Sequence, residues 1–150
     1  MNRFRGVEIK KLLPVEKHVG NFTYELCKGQ ISLQITVCKR SRGSVFAKHC
    51  HKGLDLSKNP ERLFLISGGA TLNAYDGLSD RTLKTVIKDG HEILVSPNIL
   101  HELKALSDVI FLEFRPTVFN AETSDTYPAE TYEKYIKSLS NSKNILNVKR

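Results

Sequence analysis

Two histidines one residue apart, His49 and His51, close the stretch Gly43-Ser-Val-Phe-Ala-Lys-His49-Cys-His51. On a β-strand alternate side chains share a face, so both imidazoles project to one side and Cys50 to the other. Two imidazoles fixed side by side on a rigid strand make half of a metal site. Glu61 opens another strand-like run, Glu61-Arg-Leu-Phe-Leu-Ile-Ser-Gly68, with Leu63 and Leu65 on its own face. A carboxylate at that strand mouth can complete the site. A second stretch, Gly90-His-Glu-Ile-Leu-Val-Ser-Pro97-Asn98-Ile99-Leu100-His101, ends one strand in a proline-containing turn and begins the next with a histidine. The return of the chain can bring His101 beside the first pair. Three imidazoles and one carboxylate suit a single divalent transition metal, Fe, Mn, Ni, Cu or Zn, and donor type alone does not choose among them. A metal on His49, His51, Glu61 and His101 would keep positions open to polarise a carbonyl, stabilise an enediolate or bind dioxygen.

Short strands must position these groups. Ile31, Leu33, Ile35 and Val37 alternate with Ser32, Gln34, Thr36 and Cys38, a period of two. Further strands are expected over Phe22–Lys28, Ser44–His51, Arg62–Ser67, Ala70–Tyr75, Arg81–Lys88, Glu92–Ser96, His101–Leu106 and Val109–Arg115. The dipeptides Gly68-Gly69, Asp76-Gly77 and Asp89-Gly90 suit turns that need positive φ. Many short strands with frequent turns predict an antiparallel sandwich or barrel. Pro128 stands where a first helical residue fits, and Tyr132, Tyr135, Ile136 and Leu139 form a helical stripe to pack on the barrel's outside. The polar residues Asn141 to Arg150 read as a frayed tail. Cys50, pointing away from the histidines, is expected in the core of the sandwich, and Lys48 on the same face at an edge or subunit contact.

With 150 residues, 40% hydrophobic and 26% charged, the chain is sized for one domain. No apolar run reaches membrane-spanning length. The first residues lack an apolar signal segment, and three cysteines without CxxC spacing suit a reducing compartment, so the expected location is cytoplasmic. The net charge of +7 is spread along the chain, without zinc-finger, helix-turn-helix or RNP-like patterns, which argues against nucleic acid as partner. A basic rim would instead favour a small anionic substrate, with Arg40, Arg42 and Lys52 near the expected mouth.

The two stretches resemble the motifs of the cupins. The first motif is G, five residues, H-x-H, three or four residues, E, six residues, G. Gly43, His49, His51, Glu61 and Gly68 fit it, except that nine residues, Lys52 to Pro60, separate His51 from Glu61. The second is G, five, P-x-G, two, H, three, N. The spacing from Gly90 to His101 matches, Pro97 comes one place late, Asn98 takes the glycine position and Ala105 that of the final Asn. Asn best tolerates left-handed geometry after Gly. The resemblance implies an all-β jelly-roll barrel over residues 22–116 with one C-terminal helix near 128–140, a metal on the four named residues, and a homodimer.

The cupins include several chemistries. Sugar-modifying members epimerise or isomerise nucleotide sugars or sugar phosphates, often with an N-x-E stretch after H-x-H, as in Asn59-Pro60-Glu61 here. That is the favoured function, with Tyr24, Tyr75 and Glu113 as candidate bases for proton abstraction beside a carbonyl. The alternatives are a dioxygenase using the same three-histidine, one-glutamate set, and a non-catalytic cupin that binds a small molecule.

Overall fold

The structure, a computed structural model, describes residues 4–13, 16–18, 21–23, 34–118 and 120–147. Tyr24 and most of the strand expected over Phe22–Lys28 lie outside the described residues, as do Ile31, Ser32 and Leu33. Among them the chain forms β1 (Val7–Lys11), β2 (Glu16–His18), β3 (Asn21–Thr23), β4 (Gln34–Arg40), β5 (Val45–His51), β6 (Glu61–Ser67), β7 (Gly69–Asp76) and β8 (Arg81–Lys88). There follow β9 (His91–Val95), β10 (Ile99–Ala105), β11 (Val109–Arg115), β12 (Thr126–Pro128) and the helix α1 (Ala129–Asn147). Two five-stranded antiparallel sheets, β1-β9-β6-β11-β4 and β12-β5-β10-β7-β8, make the expected jelly roll, and β2 pairs with β3 alone. No helix among the described residues is long and apolar enough to cross a membrane.

The alternating pattern located most strands, two of them, β8 and β11, to the residue. β1 and β12 were not expected, since neither Val7–Lys11 nor Thr126–Pro128 has a long enough alternation to stand out. The helix begins one residue after Pro128, which instead closes β12, and continues through most of the stretch read as a frayed tail.

The barrel interior is divided along its length. Leu63, Leu65, Leu72, Ile87, Ile93, Val95, Leu103, Val109 and Phe111 fill one part with apolar side chains that are nearly inaccessible. Burying each such side chain contributes about 1.5–3 kcal/mol. The other part holds buried polar residues: His51, Ser57, Lys58, Glu61, His101, Glu113 and Arg115. β4 turns its polar side inward, because Thr36 pairs directly with Glu113 and Cys38 with Phe111, both interior residues. Ile35 and Val37 consequently face outward, 56% and 68% exposed. Period two shows a strand; it does not show which side faces the core.

Two turns meet the strand geometry with left-handed residues. Gly68 has φ +84°, and a Cβ there would lie 2.2 Å from the Asp108 carbonyl oxygen. Asn98 takes φ 67° at the glycine position of the second motif, as its side chain allows. At the Asp76-Gly77 turn the left-handed residue is Asp80, not the glycine.

Cys50 is fully buried, but beneath α1 rather than between the sheets, in a cluster with Tyr132 and Ile136. Burial pushes its thiol up to about 11, helped by the nearby charge of Asp125 and opposed by Lys52. At pH 8 it should therefore react with iodoacetamide at least about 100-fold more slowly in the native protein than in guanidinium. A Cys27→Ser, Cys38→Ser background isolates this thiol, and equal rates in the two states would contradict the placement.

Candidate metal and acid–base centre

A bulge in β5 aims the two histidines. Ala47 has φ 53°, and the pairing with β10 shifts between Phe46–Leu103 and His49–His101. Phe46 and the pair His49, His51 therefore share the interior face, while Lys48 and Cys50 lie on the outer one. His101 stands directly across from His49 on β10, and their rings meet edge to face at 4.9 Å. Glu61 comes from the opposite sheet, where its register partner is the core residue Val95.

All four side chains predicted to form the site converge. Oε2 of Glu61 lies 2.7 Å from Nε2 of His101, 3.6 Å from Nε2 of His51 and 3.8 Å from Nε2 of His49. Candidate donor atoms of His49, His51 and Glu61 lie within 4.8 Å of one another. The Nε2 atoms of His49 and His51 are buried without a hydrogen-bond partner among the described residues. Two orphaned acceptors beside a buried carboxylate fit a cation, and the nitrogen–oxygen donor set fits a divalent transition metal. Burial works against the Glu61 charge, yet the hydrogen bond with His101 and the close approach of His49 and His51 hold its carboxyl well below the usual range. Burial lowers His49, and Glu61 offsets part of that effect.

His101 carries a further constraint. Its Nδ1 lies 3.0 Å from the Ile99 carbonyl and its Nε2 2.7 Å from the Glu61 carboxylate, so acceptors flank both ring nitrogens. A neutral imidazole donates only once. One further proton, or a cation, must therefore lie between Nε2 and the carboxylate.

His51 is braced from behind. Its Nδ1 lies 3.4 Å from Oδ1 of Asp125, immediately before β12. Burial disfavours the Asp125 charge, but the backbone N–H groups of Asp55 and Leu54, with His51, hold the carboxyl below its ordinary value. A proton on Nδ1 facing Asp125 leaves Nε2 as the basic, cavity-facing atom.

The stretch Lys52–Pro60 forms a short turn over the site. Asp55 caps it by accepting from the Ser57 backbone N–H at 2.8 Å. Lys58 is buried, its ammonium 2.5 Å from Oε1 of Glu61 and paired as well with Glu113. Arg115 donates to Glu113 at 2.9 Å and to the Ser57 hydroxyl at 3.2 Å.

The remaining predicted residues are scattered. Glu113 reaches the polar interior, held between Lys58 and Arg115. Tyr75 lies on the outer face of its sheet, where it donates to Asp80, and that bond pushes its phenol up. It lines an outer groove of about 340 Å³ with Lys48, Leu83 and Leu100. Arg40 pairs in register with Val109, at the other end of β11 from Arg115, and its guanidinium lies over Phe46 and Phe111. Arg42 lies nearby, its backbone N–H bonded to Asp108. The Lys52 ammonium stacks 3.9 Å from the Tyr127 ring, on the helix-covered side of β5. Neither Lys58 nor Asp125 was singled out from sequence. The unusual length before Glu61 pointed to the region of the first, and nothing local marked the second.

No protein-family model matches the sequence, and comparison with curated proteins gave no match. Solved structures do resemble the fold. The sugar 3,4-ketoisomerase QdtA from Thermoanaerobacterium thermosaccharolyticum, in complex with TDP, superposes with a TM-score of 0.70 at 11% identity, covering 91% of this chain and 98% of that one. The TDP-quinovose 3,4-ketoisomerase WlaRB from Campylobacter jejuni gives 0.67 at 14% identity, covering 86% and 98%. The dTDP-4-dehydrorhamnose 3,5-epimerase from Sulfolobus tokodaii gives 0.60 at 16% identity, covering 83% and 77%. At these identities the likeness is one of fold: this chain has the jelly-roll architecture of these sugar isomerases and epimerases.

Proposed function

We propose that the chain isomerises or epimerises a small anionic sugar, a nucleotide sugar or a sugar phosphate, beside a carbonyl, with a divalent metal on His49, His51, Glu61 and His101. The observation that carries this reading is the pair of buried, unpartnered Nε2 atoms beside a buried carboxylate. Such a reaction takes a proton from a carbon next to a carbonyl and returns one to the opposite face of that carbon, for an epimerisation, or to the former carbonyl carbon, for an isomerisation. One Nε2 cannot both ligate the metal and take a proton, so His51, braced by Asp125, is a ligand in the metal-bound site and the base for the first transfer only in a metal-free one. In that metal-free site His101, flanked by Ile99 and Glu61, is placed to hold a proton at Nε2 for the return. A metal bound here would polarise the carbonyl. The solved neighbours add support by analogy, since their names describe 3,4-ketoisomerases and 3,5-epimerases and one was solved with TDP. The net charge of +7 is in keeping with an anionic substrate.

The test is solvent exchange. Incubated without oxygen in D2O with TDP-4-keto-6-deoxyglucose, and then with a panel of nucleotide sugars and sugar phosphates, the protein should incorporate deuterium beside a carbonyl. No incorporation with any of them overturns the reaction. Elemental analysis beside a His49→Ala, His51→Ala variant tests the metal: equal metal in both preparations, or none in either, removes it from the proposal.

A further inference from the structure

Resting on the reading of His49, His51, Glu61 and His101 as ligands, we propose that Lys58 sets how weakly this site holds a divalent cation. Its ammonium claims one oxygen of Glu61 at 2.5 Å, so an ion on the other oxygen would face a fixed positive charge across a single carboxylate. Coulomb repulsion over so short a span in a buried setting is large.

The charges around it leave little to attract a dication. Glu61, Lys58, Glu113 and Arg115 form a chain of alternating sign, Lys58 touching both carboxylates and Arg115 touching Glu113 at 2.9 Å. Within that chain two carboxylates are matched by two cations, the imidazoles add no negative charge, and Asp125 stands one ring further away, behind His51. Lys58 is also held in position. Its backbone N–H donates to the Asp55 carbonyl at 3.0 Å, and Asp55 is bound through its own N–H to Asp125 at 3.1 Å. The side chain is buried, with no solvent to which the ammonium can readily withdraw. The turn that inserts it lies in the long stretch between His51 and Glu61. Lys58 thus works as a resident cation that keeps the carboxylates in place and leaves any metal weakly bound and exchangeable.

Isothermal titration of Zn²⁺ and Ni²⁺ into the metal-stripped full chain tests this. Lys58→Met should bind at least about tenfold more tightly than the parent, whereas Lys58→Arg, which keeps the charge, should stay within about threefold. Adding His49→Ala, His51→Ala to each protein should abolish the gain. Equal or weaker binding by a folded Lys58→Met overturns the proposal. If that variant does not fold, Lys58→Met with Glu113→Gln removes the stranded carboxylate and is read in the same way. Equal tight binding by parent and variant leaves the ligand site standing and removes the role of Lys58. Binding by neither removes both.

Discussion

Glu61→Leu is expected to destabilise the metal-free protein by about 3–5 kcal/mol, because it leaves the Lys58 ammonium buried beside Glu113 without its second partner. For a chain of this size that is a fall of roughly 10 °C in the melting temperature. Glu61→Gln keeps the shape and one acceptor and should cost much less. Guanidinium unfolding checks both, and a Leu variant within about 1 kcal/mol of the parent would show that the pair is not a structural dependency. The pH dependence follows from the same groups. Glu61 is held below its ordinary 4.5, so the unfolded chain takes up its proton first. The stability it contributes is full above that value and drains as pH falls towards the folded value. His49 is lowered from 6.5, so its unfolded form also binds protons first, and acid begins to destabilise the fold from near pH 6.5 downward. Glu61→Leu should shrink the more acidic part of this decline to the share that Asp125 contributes, and keep the part that begins near 6.5.

In a site free of metal, His51→Gln should reduce turnover by roughly 10²–10⁴-fold, the span attributed to a positioned proton acceptor. Asp125→Asn should reduce it less, by about 10–100-fold, since the imidazole remains but loses the partner that fixes its tautomer. In Asp125→Asn the loss should fall on kcat with little change in KM, and the acid limb of the pH–rate profile should move. A rise in KM alone would mean that Asp125 acts only through the loop it anchors at Leu54 and Asp55.

The four converging side chains, His49, His51, Glu61 and His101, were legible in the sequence because their positions follow strand periodicity and motif spacing, both local properties. The jelly roll was legible for the same reason, with eight of its strands marked by alternation and turn residues. What brings Asp125 to His51 is a pairing between β12 and β5 over more than seventy positions, and a three-residue strand carries no signal for it. Lys58 lay in a stretch whose length was conspicuous, but a lysine on a loop ordinarily reads as solvated, and only the buried carboxylates on β6 and β11 draw it inward. Arg40 shows the opposite error. Its place in the sequence close to His49 suggested the mouth, while the hairpin joining β4 to β5 turns back at the far end of the barrel.

The left-handed bulge at Ala47 also bears on how this hairpin can change in length. It sets Phe46 and the histidines in phase despite an odd spacing between Phe46 and His49. Deleting one residue between them would restore two-for-two pairing with β10 and keep both ends in phase, whereas straightening the bulge without a deletion would not. In the straightened strand either Phe46 would leave its stack on Phe111, or His49 and His51 would trade places with Lys48 and Cys50. Viable descendants of this chain should therefore vary in length at the Ser41–Ser44 turn, where Ser44 closes a hydrogen bond back to Ser41, and between Phe46 and His51 should lose at most the one bulge residue.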